Sequence, residues 1–454
     1  MNKLLPAGLA LALGMPLGAL AQEPADPSTE IRSLRRELDQ LRADYEARLR
    51  ALEQRLKAAE AASAAPAAPP TPVVASSNGG PTAFNPSVSL ILSGLYTRTS
   101  QDPAHYSIGG FALPQQAQPG PGTRGFSLTE SELGLAASID PWLRGAANIS
   151  LHPDDTVSVE EAFVQTTSLG AGLSLKAGRF FSSVGYLNPQ HSHTWDFVDN
   201  PLAYQAMLGT QYGDDGVQLT WIAPTDQYIE LGAELGRGRS FPGTDTGRNG
   251  PGMVALIAHT GGDVGDSSNW RAGVSMLDAR ADGQDLPATN IAGSAVTNAF
   301  TGSTRVWVAD AIWKWAPHGN AIRTNFKLQG EYLHSTRDGA LVYDISHADS
   351  AASYRANQSG WYLQSVYQFI PRWRVGLRTE QLDSGIPDYG LNSAALAAGE
   401  SRPRKNSLMV DFSPSEFSRV RLQFARDRAN ESLPDNQLFL QYQMSLGAHG
   451  AHSY

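Results

Sequence analysis

From Asn85 onward the chain alternates apolar and polar side chains with a period of two, one stretch after another. The last stretch is the clearest. Leu438, Leu440, Tyr442, Met444 and Leu446 take even positions, while Gln441, Gln443, Ser445 and His449 take odd ones. This period sends successive side chains to opposite faces of a strand. Val88, Leu90, Leu92 and Tyr96 share a face in the same way, and Ile322, Phe326, Leu328 and Tyr332 alternate with Arg323, Asn325, Lys327, Gln329 and Glu331. The polar faces carry too much charge to fill a dry core. Each strand is therefore predicted to turn its apolar face outward and its polar face to a water-filled lumen.

The connections sort into two kinds. Tight turns are predicted at 140–141, 168–172, 223–226, 261–269, 316–320, 371 and 413–416. Longer connections fall near 98–125, 152–156, 182–214, 237–251, 280–302, 335–359, 383–403 and 428–436. That is short turns alternating with long loops, and it predicts an all-β fold: a 16-stranded antiparallel transmembrane β-barrel over 85–454, with both ends on the short-turn side. Bacterial outer-membrane barrels combine an even strand number with short periplasmic turns and long outer loops. A long final strand ending on an aromatic, Tyr454, suits such a closure. Trp142, Trp221, Trp270, Trp313, Trp361 and Trp373 are candidates for its interfacial girdles.

Upstream, residues 1–21 carry Lys3, an apolar run from Leu4 to Leu13 and Ala19-Leu20-Ala21, the plan of a cleaved signal peptide. Residues 22–60 hold a charged helix with one narrow seam, Ile31, Leu34, Leu38, Leu41, Tyr45, Leu49, Leu52, Leu56 and Ala59. Spacings of three and four, shifting once at Tyr45–Leu49, predict a coiled coil with a stutter. This places a coiled-coil helix in the periplasm and implies an oligomer, with a homotrimer as the natural state. Residues 61–84, rich in Ala, Pro, Ser and Gly, form a linker. Mean hydropathy is −0.29, low as expected where apolar residues hide in alternation. There is no cysteine, and the formal charge of −9 argues against a nucleic-acid partner. Outer-membrane lipid and a small-solute cargo are the partners this plan implies.

Ser131-Glu132-Leu133, the run Val159 to Val164, Lys176-Ala177-Gly178-Arg179-Phe180 and Gly185-Tyr186-Leu187-Asn188 together resemble the phosphate-selective (O/P-type) outer-membrane porin superfamily. The resemblance is dense over residues 126–217 and loose over the rest of the barrel. It implies a porin with a long loop at the pore, and a coiled coil ahead of the barrel is similar to members of that group. The segment Trp195 to Leu202 departs from the phosphate porins. It looks more like a branch labelled metal-responsive outer-membrane receptors, so phosphate selectivity does not carry over with the rest.

Parity assigns Lys176, Arg323, Lys327, Arg374, Arg378, Arg419 and Arg421 to the lumen, as pore-lining basic candidates that would attract anions. Glu331, Glu380, Asp411 and Asp427 share those faces and oppose them. The 182–214 loop is the expected constriction, with His191, His193, Trp195 and Asp196 as its unusual residues. Two imidazoles and a carboxylate can ligate zinc or copper, though metal sites need three or four ligands in fixed geometry, so the His pair reads first as loop packing. No catalytic or cofactor motif is present, which predicts no enzyme and no cofactor. The function expected is passive diffusion of small solutes, anions first. The alternatives are a metal-linked receptor or transporter without a plug, and a structural, membrane-anchored coiled-coil protein.

Overall fold

A computed structural model describes residues 86–114, 119–129, 131–167 and 169–447. The predicted signal peptide 1–21, coiled coil 22–60, linker 61–84 and terminal Tyr454 lie outside these residues.

The described chain is a single closed antiparallel sheet. Its low side comprises β1 (Ser87–Thr99), β2 (Gly125–Leu128), β3 (Ser131–Ser138), β4 (Leu143–Leu151), β5 (Val157–Thr166), β6 (Leu173–Phe181), β7 (Gly213–Ile222) and β8 (Tyr228–Gly236). Taller strands follow: β9 (Met253–Val264), β10 (Ser268–Thr289), β11 (Ala295–Trp315), β12 (Asn325–Tyr343) and β13 (Ser350–Ile370). The circuit ends with β14 (Trp373–Asp383), β15 (Arg404–Ser415), β16 (Ser418–Arg428) and β17 (Asp435–Gly447). Both β2 and β3 pair with β1, so they are two halves of one stave, and the barrel has sixteen. Pairing of β1 with β17 closes it, with Ser89 opposite Gly447 at the short-turn rim.

The outward face is apolar. In β17, Leu440, Tyr442 and Leu446 are exposed while Gln441, Gln443 and Ser445 are buried, which is the orientation the alternation predicts. Outward aromatics gather near the short turns at Trp142, Trp313 and Trp373, and recur farther along the strands at Trp307, Tyr332 and Trp361. An apolar band between aromatic girdles is the arrangement that lipid imposes on a barrel.

Two differences from the sequence reading stand out. The segments 280–302 and 335–359, expected as loops, are mostly strand. β10 runs for 22 residues, β11 for 21, β12 for 19 and β13 for 21, joined by connections at 290–294 and 344–349. Beyond the apolar band nothing requires an apolar outward face, so alternation fades while backbone pairing continues. Pro287 is tolerated because β10 pairs with β9 only as far as Ala279, leaving the farther part of that edge free.

The second difference is that the interior is not simply open water. The connection 182–212 folds into it, carrying α1 (Leu202–Leu208), every residue of which is buried. Val184, Leu187, Trp195, Leu202, Tyr204 and Met207 pack with Val306, Val308, Leu333, Tyr362 and Leu382 of the wall. Ile108 and Phe111, from the 100–124 connection, join the same cluster.

Candidate functional site: the inward-folded third loop

The third loop, 182–212, is held by charge complementarity with the wall. Asp196 pairs with Lys327 of β12 and, at 3.4 Å, with Arg374 of β14. Asp199 takes Arg378 at 2.7 Å and Lys405 at 2.6 Å, and accepts from Gln423 Nε2 at 2.7 Å. Arg419 donates to the His193 carbonyl at 2.8 Å, and Arg421 to the Trp195 carbonyl at 2.6 Å. Wall acids do the converse. Glu331 accepts from the backbone N–H groups of Tyr186 and Leu187 at 3.0 and 3.1 Å and from the Tyr204 hydroxyl at 2.7 Å. Glu380 accepts from the Leu202 N–H, at the start of α1. Wall cations thus bind loop carboxylates and carbonyls, and wall anions bind loop N–H groups.

Burial alone would raise the Asp196 carboxyl, but Lys327 and Arg374 outweigh it and hold the group at about 2. Burial likewise opposes ionisation of Asp199, and Lys405 and Arg378 overcome it, keeping this carboxyl well below the ordinary range.

Most of the predicted basic strip is therefore engaged rather than free. Arg374 also forks onto Asp411, and Arg378 pairs with Glu380 at 2.9 Å. Arg421 and Arg378 are buried. Lys176 stands 4.7 Å over the Phe163 ring and 5.3 Å over that of Phe180. Arg323 departs from the lumenal assignment: it is exposed in the 316–324 turn, because β12 begins only at Asn325.

The sequence reading missed three inward cations. Arg144 lies opposite Gln165, Lys314 lies opposite Lys327, and Arg271 is on the neighbouring β10. Parity and cross-strand register would have found them. With Lys176, Lys327, Arg374 and Arg419 they form a basic girdle, each member a few residues from a short turn. The inward wall acids at this level include Glu230, Asp263, Asp310 and Asp411, with Glu230 and Asp310 in one cross-strand row through His259 and Gly273.

At the opposite wall, two β-bulges converge on the loop's histidines. Leu128 lies opposite Gly94 but Glu132 opposite Ile91, four steps against three, so one extra residue near Thr129 switches the parity. Phe126 and Leu128 point out, and Glu132 consequently points in. The β4–β5 register slips between Asn148 and Ile149, leaving Glu160 as an unopposed residue and bringing Glu160 and Glu161 to the same side. His191 Nδ1 lies 3.1 Å from Glu132 Oε2 and 3.3 Å from Glu160 Oε2, and its Nε2 is 2.9 Å from Glu161 Oε2. His193 Nδ1 is 3.3 Å from the same Glu132 oxygen, and the two imidazoles stack with centroids 5.6 Å apart. Burial opposes a charge on His191, but its hydrogen bonds to Glu132, Glu160 and Glu161 raise its pKa well above the ordinary value. Trp195 is buried, its Nε1 donating to the Gln190 carbonyl at 2.9 Å.

No protein-family model matches the chain. Among solved structures it is similar to OmpT of Vibrio cholerae in its trimer form (10% identity, TM-score 0.48, 80% of this chain and 99% of that one). It is similar also to an anion-selective porin from Comamonas acidovorans (11%, TM-score 0.47, 80% and 99%). A third is the outer-membrane channel DcaP of Acinetobacter baumannii (12%, TM-score 0.46, 80% and 97%). Likeness at this level carries no inference about solute or site. A relative in Aquifex aeolicus (strain VF5), described as an uncharacterized protein, is 31% identical over 355 residues, 73% of this chain and 70% of its own. The chain belongs to the same family as this Aquifex aeolicus protein.

Proposed function

We propose that the protein is a bacterial outer-membrane channel for passive diffusion of small solutes, with anions the favoured cargo. The observation that carries this reading is the inversion of the barrel: an apolar belt outside, and inside it a basic girdle near the short-turn end, where Arg144, Lys176 and Lys314 face inward beside Arg271, Lys327, Arg374 and Arg419, the last three also docking the third loop. Charged rings of this kind set ion preference in pores. The third loop is the constriction, and Asp196 and Asp199 serve to dock it rather than to line the path. The short-turn end faces the periplasm, where the coiled coil of 22–60 draws three copies together. A phosphate-like solute is compatible with the guanidinium and ammonium groups available.

Planar-bilayer recording tests the reading. Discrete conductance steps and an anion-directed reversal potential in a salt gradient are expected. Lys314→Glu removes one positive charge from the girdle and adds a negative one beside Lys327, and should lower the anion-to-cation permeability ratio by about twofold or more. Absence of steps would overturn the channel reading, and a cation-directed potential would overturn the anion preference.

A further inference from the structure

We propose that Glu132, His191 and His193 form a site for a divalent cation of the zinc class, which fastens the start of the third loop to the barrel wall. The proposal does not depend on conduction. It stands on four observations.

The donor set is right in kind and number. Two imidazoles and one carboxylate offer their ligand atoms within 4.8 Å of one another, and three protein ligands with one open position is a common zinc arrangement. The spacing is right as well. Bonds of about 2.0–2.1 Å to a tetrahedral zinc separate neighbouring ligand atoms by about 3.3 Å. The two edges through Glu132 Oε2 measure 3.1 and 3.3 Å, and the third, between the two imidazoles, lies within 4.8 Å and would close on the ion.

The carboxylate behind the imidazole is in place as well. Glu161 Oε2 lies 2.9 Å from His191 Nε2, and Asn148 Nδ2 lies 3.0 Å from the same nitrogen. In the tautomer that ligates through Nδ1, Nε2–H donates to Glu161 and the ion takes the place of any Nδ1 proton between His191 and Glu132. Asn148 Nδ2 donates to the same Glu161 carboxylate at 3.2 Å. A carboxylate behind a ligating imidazole fixes its tautomer and strengthens the ligand.

Finally, the wall is built to make the site. Two separate bulges turn Glu132 and the Glu160–Glu161 pair toward one histidine, and bulges serve to re-aim side chains of this kind. Three carboxylates converge on His191, with little solvent access. A divalent cation would offset part of that converging negative charge. The burial of the ligands marks the ion as a resident staple, not as cargo in transit.

The test uses the full chain in detergent, stripped with a chelator and titrated with cobalt(II) alone, then with zinc(II). One equivalent of cobalt should bind with the visible absorption of a four-coordinate nitrogen–oxygen site, and zinc should displace it. Glu132→Gln and His193→Asn should each weaken binding at least tenfold, and Glu161→Gln about 10–100-fold through the lost hydrogen bond to His191 Nε2. If wild-type protein shows no stoichiometric binding, or if folded Glu132→Gln and His193→Asn bind as wild type does, the proposal is overturned. Should the variants not fold, X-ray absorption of the wild-type zinc form decides: imidazole scattering from two histidines supports the site, and its absence rejects it.

Discussion

Asp199 shows how much a single loop carboxylate can hold. It is the counter-ion of two buried cations, Arg378 and Lys405, and also receives Gln423. Asp199→Asn keeps the shape but removes the charge, while Arg378 retains Glu380 and the residue 199 carbonyl and Lys405 retains Asp427 at 3.1 Å. Orphaning a buried charge completely costs about 3–5 kcal/mol; with these partners kept the loss should be about 1–3 kcal/mol, and thermal unfolding with limited proteolysis of residues 182–212 should register it. The surface pair Arg305–Asp278 serves as control. Its arginine is 55% exposed, and Arg305→Ala should change stability by about 0–1 kcal/mol. Asp196 adds a pH dependence. Against burial, Lys327 and Arg374 hold its carboxyl at about 2 in the folded chain, below the ordinary 3.8 of a free aspartate, so the docking it supplies is complete above the higher value. It is lost as pH falls through the lower one. Protease sensitivity of the third loop should rise between about pH 4 and pH 2, and Asp196→Asn should show the loosened loop already at neutral pH.

At the level of strands and loops, parity was the strongest signal in the sequence. It oriented β17, and it put Lys327, Arg374, Arg378, Arg419 and Arg421 on inward faces. It failed where the backbone breaks its own rhythm. A bulge adds one residue and reverses the faces beyond it, with no local composition to announce the change. Unbroken alternation from Phe126 and Leu128 would send Glu132 outward, and adjacent Glu160 and Glu161 would lie on opposite faces. The His191 cluster was therefore illegible as a three-carboxylate site, although both histidines were evident. The docking of the third loop was hidden for another reason: parity says which side a residue faces, but not what comes to meet it. The tall strands were missed because hydrophobic alternation reports contact with an apolar medium, and these strands outrun it.

For the whole molecule, the strand count and the alternation of short and long connections came from turn chemistry and spacing alone, and the closed barrel agrees with them. Assembly belongs to this scale. The seam from Ile31 to Ala59 predicts that a chain lacking residues 28–60 still folds its barrel but loses trimer stability. Semi-native gel mobility and light scattering in detergent would measure this, and an unchanged trimer would assign assembly to the barrel wall.

The unequal strand lengths have a consequence for how the outside world meets this protein. At about 3.3 Å per residue, β11 with 21 residues runs about 40 Å farther than β6 with nine. Allowing for the usual tilt, that leaves a palisade about 30 Å high along one side of the mouth. The palisade is backed by a small core of its own: Leu286, Phe300, Leu341 and Tyr354 pack with Leu396 from the connection 384–403. In an outer membrane, bulky objects such as antibodies or phage fibres would strike this parapet first. A small solute would slip in beneath it from the low side, so the direction of approach becomes a filter that acts before any charge in the lumen is felt.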